Sequence, residues 1–194
     1  MGDTGDLAGA LEAATASVGL RDETADERNS ASSRIVLGGT LLAVGRRAEA
    51  ATAYQEALVP ARGRDARDLE ARSLLGPASV PVPIDRGRAA AALELAHRSQ
   101  YRLVEDQALT VLARCGLDHG EPDSAMEDGT RALTAHRASG YRRGQAEALE
   151  ILGRAAVTTS GADPSPYWTE ALEIFDALGA PTATALRHRP AGRA

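Results

Sequence analysis

Ser99-Gln100-Tyr101-Arg102 and Ser139-Gly140-Tyr141-Arg142, forty residues apart, are two copies of one short pattern. At the same offset Ala108-Leu109 falls on Ala148-Leu149 and Leu112 on Leu152, while Ala132-Leu133 recurs as Ala171-Leu172 after thirty-nine. A self-match at a fixed period of this size marks a structural repeat. Within each copy the apolar residues recur at three- and four-residue steps, the spacing of one helix face. A unit of about 40 residues has room for two helices and two turns, so the repeat reads as a helical hairpin and the chain as all-α.

Outward from this core, Gly and Pro divide the chain into about nine helical segments. The spacing predicts helices over 3–18, 22–44, 47–59, 67–75, 85–99, 102–115, 122–137, 142–157 and 164–178. The first is expected to stop at Gly19 and the third at Pro60. Ile35, Leu37, Leu41 and Leu42 form the stripe of the second, with Gly45 placed to supply a left-handed cap. Glu121-Pro122 and Asp163-Pro164 are matching helix starts, because a proline at the first helical position lacks an N–H that would have no partner there anyway. Three prolines between Pro77 and Pro83 forbid a helix, so 76–84 is expected to be an irregular loop. The whole of 1–187 is expected to be a single repeat domain, with 188–194 a frayed tail.

Ala supplies 40 of the 194 residues, whereas Leu, Ile, Val and Phe together number 36, close to the limit below which chains stay disordered. The net charge of only −5 and the Ala content argue for folding. Ala loses no side-chain entropy in a helix and lets helices approach closely, so the expected core is thin and Ala-rich. All 22 basic residues are Arg, which rules out Schiff-base lysines and the lysine of a phosphate-binding loop. A pI near 5.4 gives no electrostatic reason for nucleic-acid binding. Cys115 is the single cysteine, so no internal disulfide forms and a reducing cytoplasm is the expected home. Met1–Asp6 has neither the basic segment nor the apolar core of a signal peptide. The longest apolar stretch, between Arg34 and Arg46, falls far short of the roughly 20 residues of a membrane span, so no membrane partner is expected.

Gly38, Ala50, Tyr54 and Ala57 have the spacing at which the tetratricopeptide repeat places three small residues and an aromatic. Ala113, Ala125 and Ala132 repeat it, with Gly129 where the aromatic would stand. Gly153, Trp168 and Ala171 follow with a shift of one residue, and 63–99 fits poorly. The chain thus resembles the tetratricopeptide superfamily, which implies a right-handed superhelical stack of antiparallel helix hairpins, with these residues at the close contacts. The stretch Ala146–Gly153, followed by Tyr167-Trp168 and Ala171–Pro181, is similar to the C-terminal repeat array of SARP-type and signalling-ATPase bacterial transcription regulators. That resemblance implies a sensing or autoinhibitory array; neither a phosphate-binding loop nor a recognition-helix motif accompanies it.

The candidates for chemistry are few. His97 and His136, each followed by Arg, occupy nearly equivalent repeat positions and are read as polar groups at helix ends. Asp118-His119 lacks the further ligands a zinc site needs, and no metal or cofactor is expected. Cys115 is expected to be buried. Ser73, Ser99 and Ser139 lack a nucleophile elbow, and Gly38-Gly39 lacks phosphate-loop spacing, so no catalytic residue is assigned. Arg46-Arg47 and Arg86-Gly87-Arg88 are assigned to turns.

Arg102, Arg142 and Arg143 begin the first helices of adjacent repeats, which in the family line a concave groove. Stacked hairpins would set such positions about 10 Å apart. With Glu105, Gln107 and Gln145 they form an expected partner-binding strip suited to an acidic peptide or a C-terminal carboxylate, against the plainer reading of an ordinary solvated surface. The expected function is a non-catalytic, regulatory protein–protein interaction module. A small-molecule-sensing repeat array is the alternative, and an accessory scaffold or enzyme a weaker one. Leu7 and Leu11 make the first helix apolar enough to pack on another element or on a second copy of the chain.

Overall fold

The computed structural model describes residues 4–24, 26–63, 66–76, 85–159, 163–180 and 182–187. Among them there is no strand, and ten helices follow one another: α1 Thr4–Glu23, α2 Glu27–Ala43, α3 Arg47–Gly63, α4 Arg67–Leu75, α5 Arg86–Arg98, α6 Arg102–Asp118, α7 Pro122–Ser139, α8 Arg142–Thr158, α9 Ser165–Ala177 and α10 Thr182–Arg187. The all-α expectation holds, with one short helix more than the spacing suggested. The proline run 77–83 and the tail from His188 lie outside the described residues.

The chain divides into two compact units, Met1–Glu105 and Asp106–Ala194, the division falling within α6. In the first, each of α1 to α4 packs on its successor and α2 also meets α4. Its core is Ala-rich: Ala31, Ala50, Ala57 and Ala66 are fully buried beside Ile35, Leu41, Tyr54 and Leu69. In the second unit α7 packs on α8, α8 on α9 and α9 on α10. Leu149, Leu152, Ile174 and Phe175 are its largest fully buried apolar side chains.

One turn recurs. At Gly45, Gln100, Gly120, Gly140 and Gly179 the backbone turns left-handed, with φ between 58° and 80°. In each case the next residue's N–H donates to a carbonyl five residues back, as Tyr101 N does to Ala96 O at 2.9 Å and Tyr141 N to His136 O at 3.0 Å. This is the Schellman closure, which satisfies carbonyls that a helix end leaves open. The turns at 100, 120 and 140 lie twenty residues apart, one helix and one turn, and 179 falls a further thirty-nine on. The forty-residue sequence period is therefore two helix–turn steps. Gln100 takes the glycine-favoured conformation without being glycine, at a cost of about 1–2 kcal/mol.

Several boundaries move, each for a tertiary reason. α1 runs through Gly19 to Glu23, because its last turn is tied to α2: Asp22 accepts from Ser30 Oγ at 2.9 Å and pairs with Arg34 at 2.7 Å. α2 accordingly starts at Glu27, with Asp26 capping Asn29 N at 3.1 Å, and not at Asp22. α3 continues through Pro60 to Gly63. A proline so near the end forfeits a single helical bond, and the burial of Ala57 and Ala61 on either side holds the last turn in place. Arg86, Gly87 and Arg88 form the first turn of α5, capped by Asp85 at 2.9 Å to Gly87 N, and do not belong to a preceding turn.

Candidate functional site

Small residues sit where large rings need room. A Cβ on Gly38 would lie 2.8 Å from the Tyr54 ring, and one on Gly76 would run into the ring's other edge. Gly153 gives the same clearance to Trp168, which is half-buried. Ala50, Ala57, Ala113, Ala125, Ala132 and Ala171 are each fully buried. Gly129 faces Leu152, its added Cβ 3.0 Å from a side-chain methyl.

In the second unit the helix-end residues build a polar junction. His136, in the last turn of α7, is 1% exposed, and its Nε2 lies 2.8 Å from Thr110 Oγ1 of α6. Tyr141 tilts against the imidazole with ring centroids 5.4 Å apart, and Gly144 leaves space for the ring's other edge. Gln145, 6% exposed, donates from Nε2 to the His136 carbonyl at 3.0 Å. Burial holds the imidazole below its ordinary pKa, with Asp106 and Glu147 pulling weakly the other way. Tyr141 is held above the usual phenol range, chiefly by burial and further by Glu147.

His97 differs. Its side chain is 74% exposed and bonds to Glu105 at 3.0 Å. The turns register Ala96, not His97, with His136: both carbonyls accept the closing bond. His97 therefore matches Arg137, which pairs with Glu170 of α9 at 2.7 and 2.9 Å. The expected equivalence of the two histidines is off by one residue, and the helix-end cation of α7 is Arg137. His119 bonds to the Cys115 carbonyl at 2.8 Å, and Cys115 is fully buried. His188 lies outside the described residues.

The six residues of the expected binding strip fall in both units. Arg102 and Glu105 belong to the first, Gln107, Arg142, Arg143 and Gln145 to the second. Arg102, Arg142 and Arg143 are exposed, and Glu105 and Gln107 half-buried. Gln145 is turned inward, its amide committed to His136, so it faces the core and not an open surface. It meets Arg142, whose NH1 lies 3.4 Å from Gln145 Oε1. Arg143 bonds to Glu147 at 3.2 Å. Arg102 and Arg142 carry no ion pair among the described residues.

Asp106 and Thr110 are the residues that sequence reasoning missed. They sit four apart on the stripe that carries Ala113, where apolar residues are expected, and a polar pair on a buried stripe is the signal that finds them. Thr110 and His136 stand at the separation of a nucleophile and its base, but Thr110 is 5% and His136 1% exposed, so the pair ties helices together out of reach of solvent. Among the described residues no group of three or more His, Cys, Asp or Glu side chains is placed to hold a metal ion. No helix among them is long and apolar enough to cross a membrane. No protein-family model matches the chain, and no curated protein matches it.

Proposed function

We propose that the chain is a non-catalytic, cytoplasmic protein-interaction module with a regulatory role, and that the start of α8 receives an acidic segment of its partner. The observation that carries this reading is Arg142. It is exposed, without a carboxylate partner among the described residues, at the first position of a 17-residue helix. Tyr141 provides no side-chain cap to that helix, which leaves the positive end of its dipole without a capping oxygen. Arg143 alongside is engaged only by Glu147, through an exposed bond that a stronger acidic ligand can displace. The helix–turn period and the glycine–aromatic contacts support a tetratricopeptide-like stack, and through it the likeness to the sensor arrays of bacterial regulators.

The test is a fluorescence-anisotropy titration of the full chain against labelled peptides ending in a run of Asp and Glu, with neutral peptides of equal length as controls. Charge-assisted hydrogen bonds are worth about 1.5–3 kcal/mol each, so Arg142→Glu with Arg143→Glu should weaken the acidic peptide at least tenfold. Equal affinity in wild type and double variant would remove the reading.

A further inference from the structure

The junction of α7 and α8 is built around one protonation state of His136, the neutral ring with its hydrogen on Nε2. Thr110 Oγ1 lies 3.3 Å from the Asp106 carbonyl as well as 2.8 Å from His136 Nε2. With the threonine hydroxyl donating to that carbonyl, Nε2–H donates to Oγ1 and the short chain is complete. Nδ1 is then a bare lone pair. It is buried and has no hydrogen-bond partner, and it faces Gly144, where an added Cβ would stand 2.6 Å away. A buried acceptor left open is tolerated more readily than a buried N–H without an acceptor, so the neutral ring with its hydrogen on Nε2 is the state that fits.

We propose that this junction is a proton-operated latch, closed on neutral His136 and opened by a proton at Nδ1. The proton would create a buried N–H and a buried charge with no acceptor in reach, the costliest kind of unpaired group. The neighbours are already engaged. Gln145 spends its amide on the His136 carbonyl and receives Arg142 on its oxygen, at 3.0 and 3.4 Å. The charged groups acting on the ring are Asp106 on α6 and Glu147 on α8; they draw the proton in, but burial outweighs them. Glu147 is itself held by Arg143 at 3.2 Å. On α7, Arg137 is turned to Glu170 at 2.7 Å and Asp128 to Arg131 at 3.1 Å. Tyr141 is a phenol that stays neutral here.

Beside the local bond from Ser139 Oγ to its carbonyl at 3.3 Å, His136 makes the ties that join the turn and α8 to it: the ring to Thr110, and the carbonyl to both Gln145 Nε2 and Tyr141 N at 3.0 Å. A ring that swings out to shed its unpaired N–H breaks the first and strains the other two. The start of α8 and the closing turn of α7 then lose their hold on the Asp106–Thr110 stretch of α6. Because burial holds the ring below its ordinary value of 6.5, the latch starts to weaken only as the pH falls past that value.

Amide hydrogen exchange on the full chain between pH 7.5 and 4.5, read together with NMR titration of the His136 ring, tests the latch. After correction for intrinsic exchange, protection at Tyr141 and Gln145 should be constant above pH about 6.5 and then fall about tenfold for each pH unit. Protection at Ala50 and Ala53 of α3 should not follow it, and His136→Phe should remove the response at α8. Constant protection across the range would overturn the proposal. So would a ring that takes its proton at or above pH about 6.5 while the α8 amides stay protected, because Asp106 or Glu147 would then have accepted it. If His136→Phe does not fold, the paired readings on the wild-type chain decide alone.

Discussion

Gly38 and Gly39 are adjacent in α2, and replacing each with alanine should move stability in opposite directions. In a helix interior Ala is favoured over Gly by about 1 kcal/mol, because glycine loses more backbone freedom on folding. At Gly39 a Cβ would meet only the Tyr54 hydroxyl oxygen at 3.6 Å, an ordinary contact, so that gain should appear nearly in full. At Gly38 the Cβ would stand 2.8–2.9 Å from Cε2, Cδ2 and Cζ of the Tyr54 ring. The ring would have to retreat by about half an ångström to reach ordinary contact. It has nowhere to go, because Gly76 closes on the Cγ–Cδ1–Cε1 edge and the ring is 8% exposed. Overpacking of this kind costs about 1–3 kcal/mol against a propensity gain of about 1 kcal/mol, so Gly38→Ala should destabilise by up to about 2 kcal/mol. Urea unfolding followed by circular dichroism at 222 nm gives both signs from the shift in midpoint at constant slope. Adding Tyr54→Leu, which removes the ring, should relieve the alanine at 38, a coupling of about 1–3 kcal/mol in the double-mutant cycle, since the propensity gain cancels there. If Gly38→Ala stabilises as much as Gly39→Ala, the ring is not held as described and the packing argument fails.

Three further outcomes follow, two from the second unit and one from the first. Gly153→Ala would drive a Cβ into the Trp168 indole, so it should destabilise by up to about 2 kcal/mol in the same urea assay once its better helix propensity is deducted; a gain in midpoint would refute it. Stability should also depend on pH through His136, whose folded pKa lies below its ordinary value of 6.5. Above that value neither state binds the proton and the profile is flat. As pH falls past it the unfolded chain takes the proton first, and stability drops by about 1.4 kcal/mol per unit until the lower folded pKa is reached. Asp22, held below the usual carboxylate range by its bonds from Arg34 and Ser30, adds a separate loss on the acid side of 3.8. An urea midpoint unchanged between pH 7.5 and 5 would contradict the histidine assignment.

Much of the candidate site was open to sequence reading, but not its inner half. Arg102, Arg142 and Arg143 were legible as helix-start residues because the forty-residue repeat aligns their turns, and they are exposed. Gln145 was not legible, since its inward turn depends on the His136 carbonyl nine residues away. The slip between His97 and His136 has the same origin. Both end a helix and both precede Arg, yet only His136 has a glycine, Gly144, across from it to accept the ring.

The sequence by itself determined the helices and their turns. Helical spacing, Ala content and left-handed glycine caps act within a turn or two of the chain, so they operate before any tertiary contact forms. Tertiary structure alone decided where those local signals are overruled and which side of a helix a polar residue shows. Gly19 and Pro60 are local stop signals, but α1 and α3 run through them because the Asp22–Arg34 pair and the buried Ala57 and Ala61 secure the last turns. Thr110 and His136 lie on separate helices, and their burial became favourable only once α6 and α7 brought them together. A polar group enters a core when its hydrogen bonds are met there, and those partners come from parts of the chain that no local pattern connects.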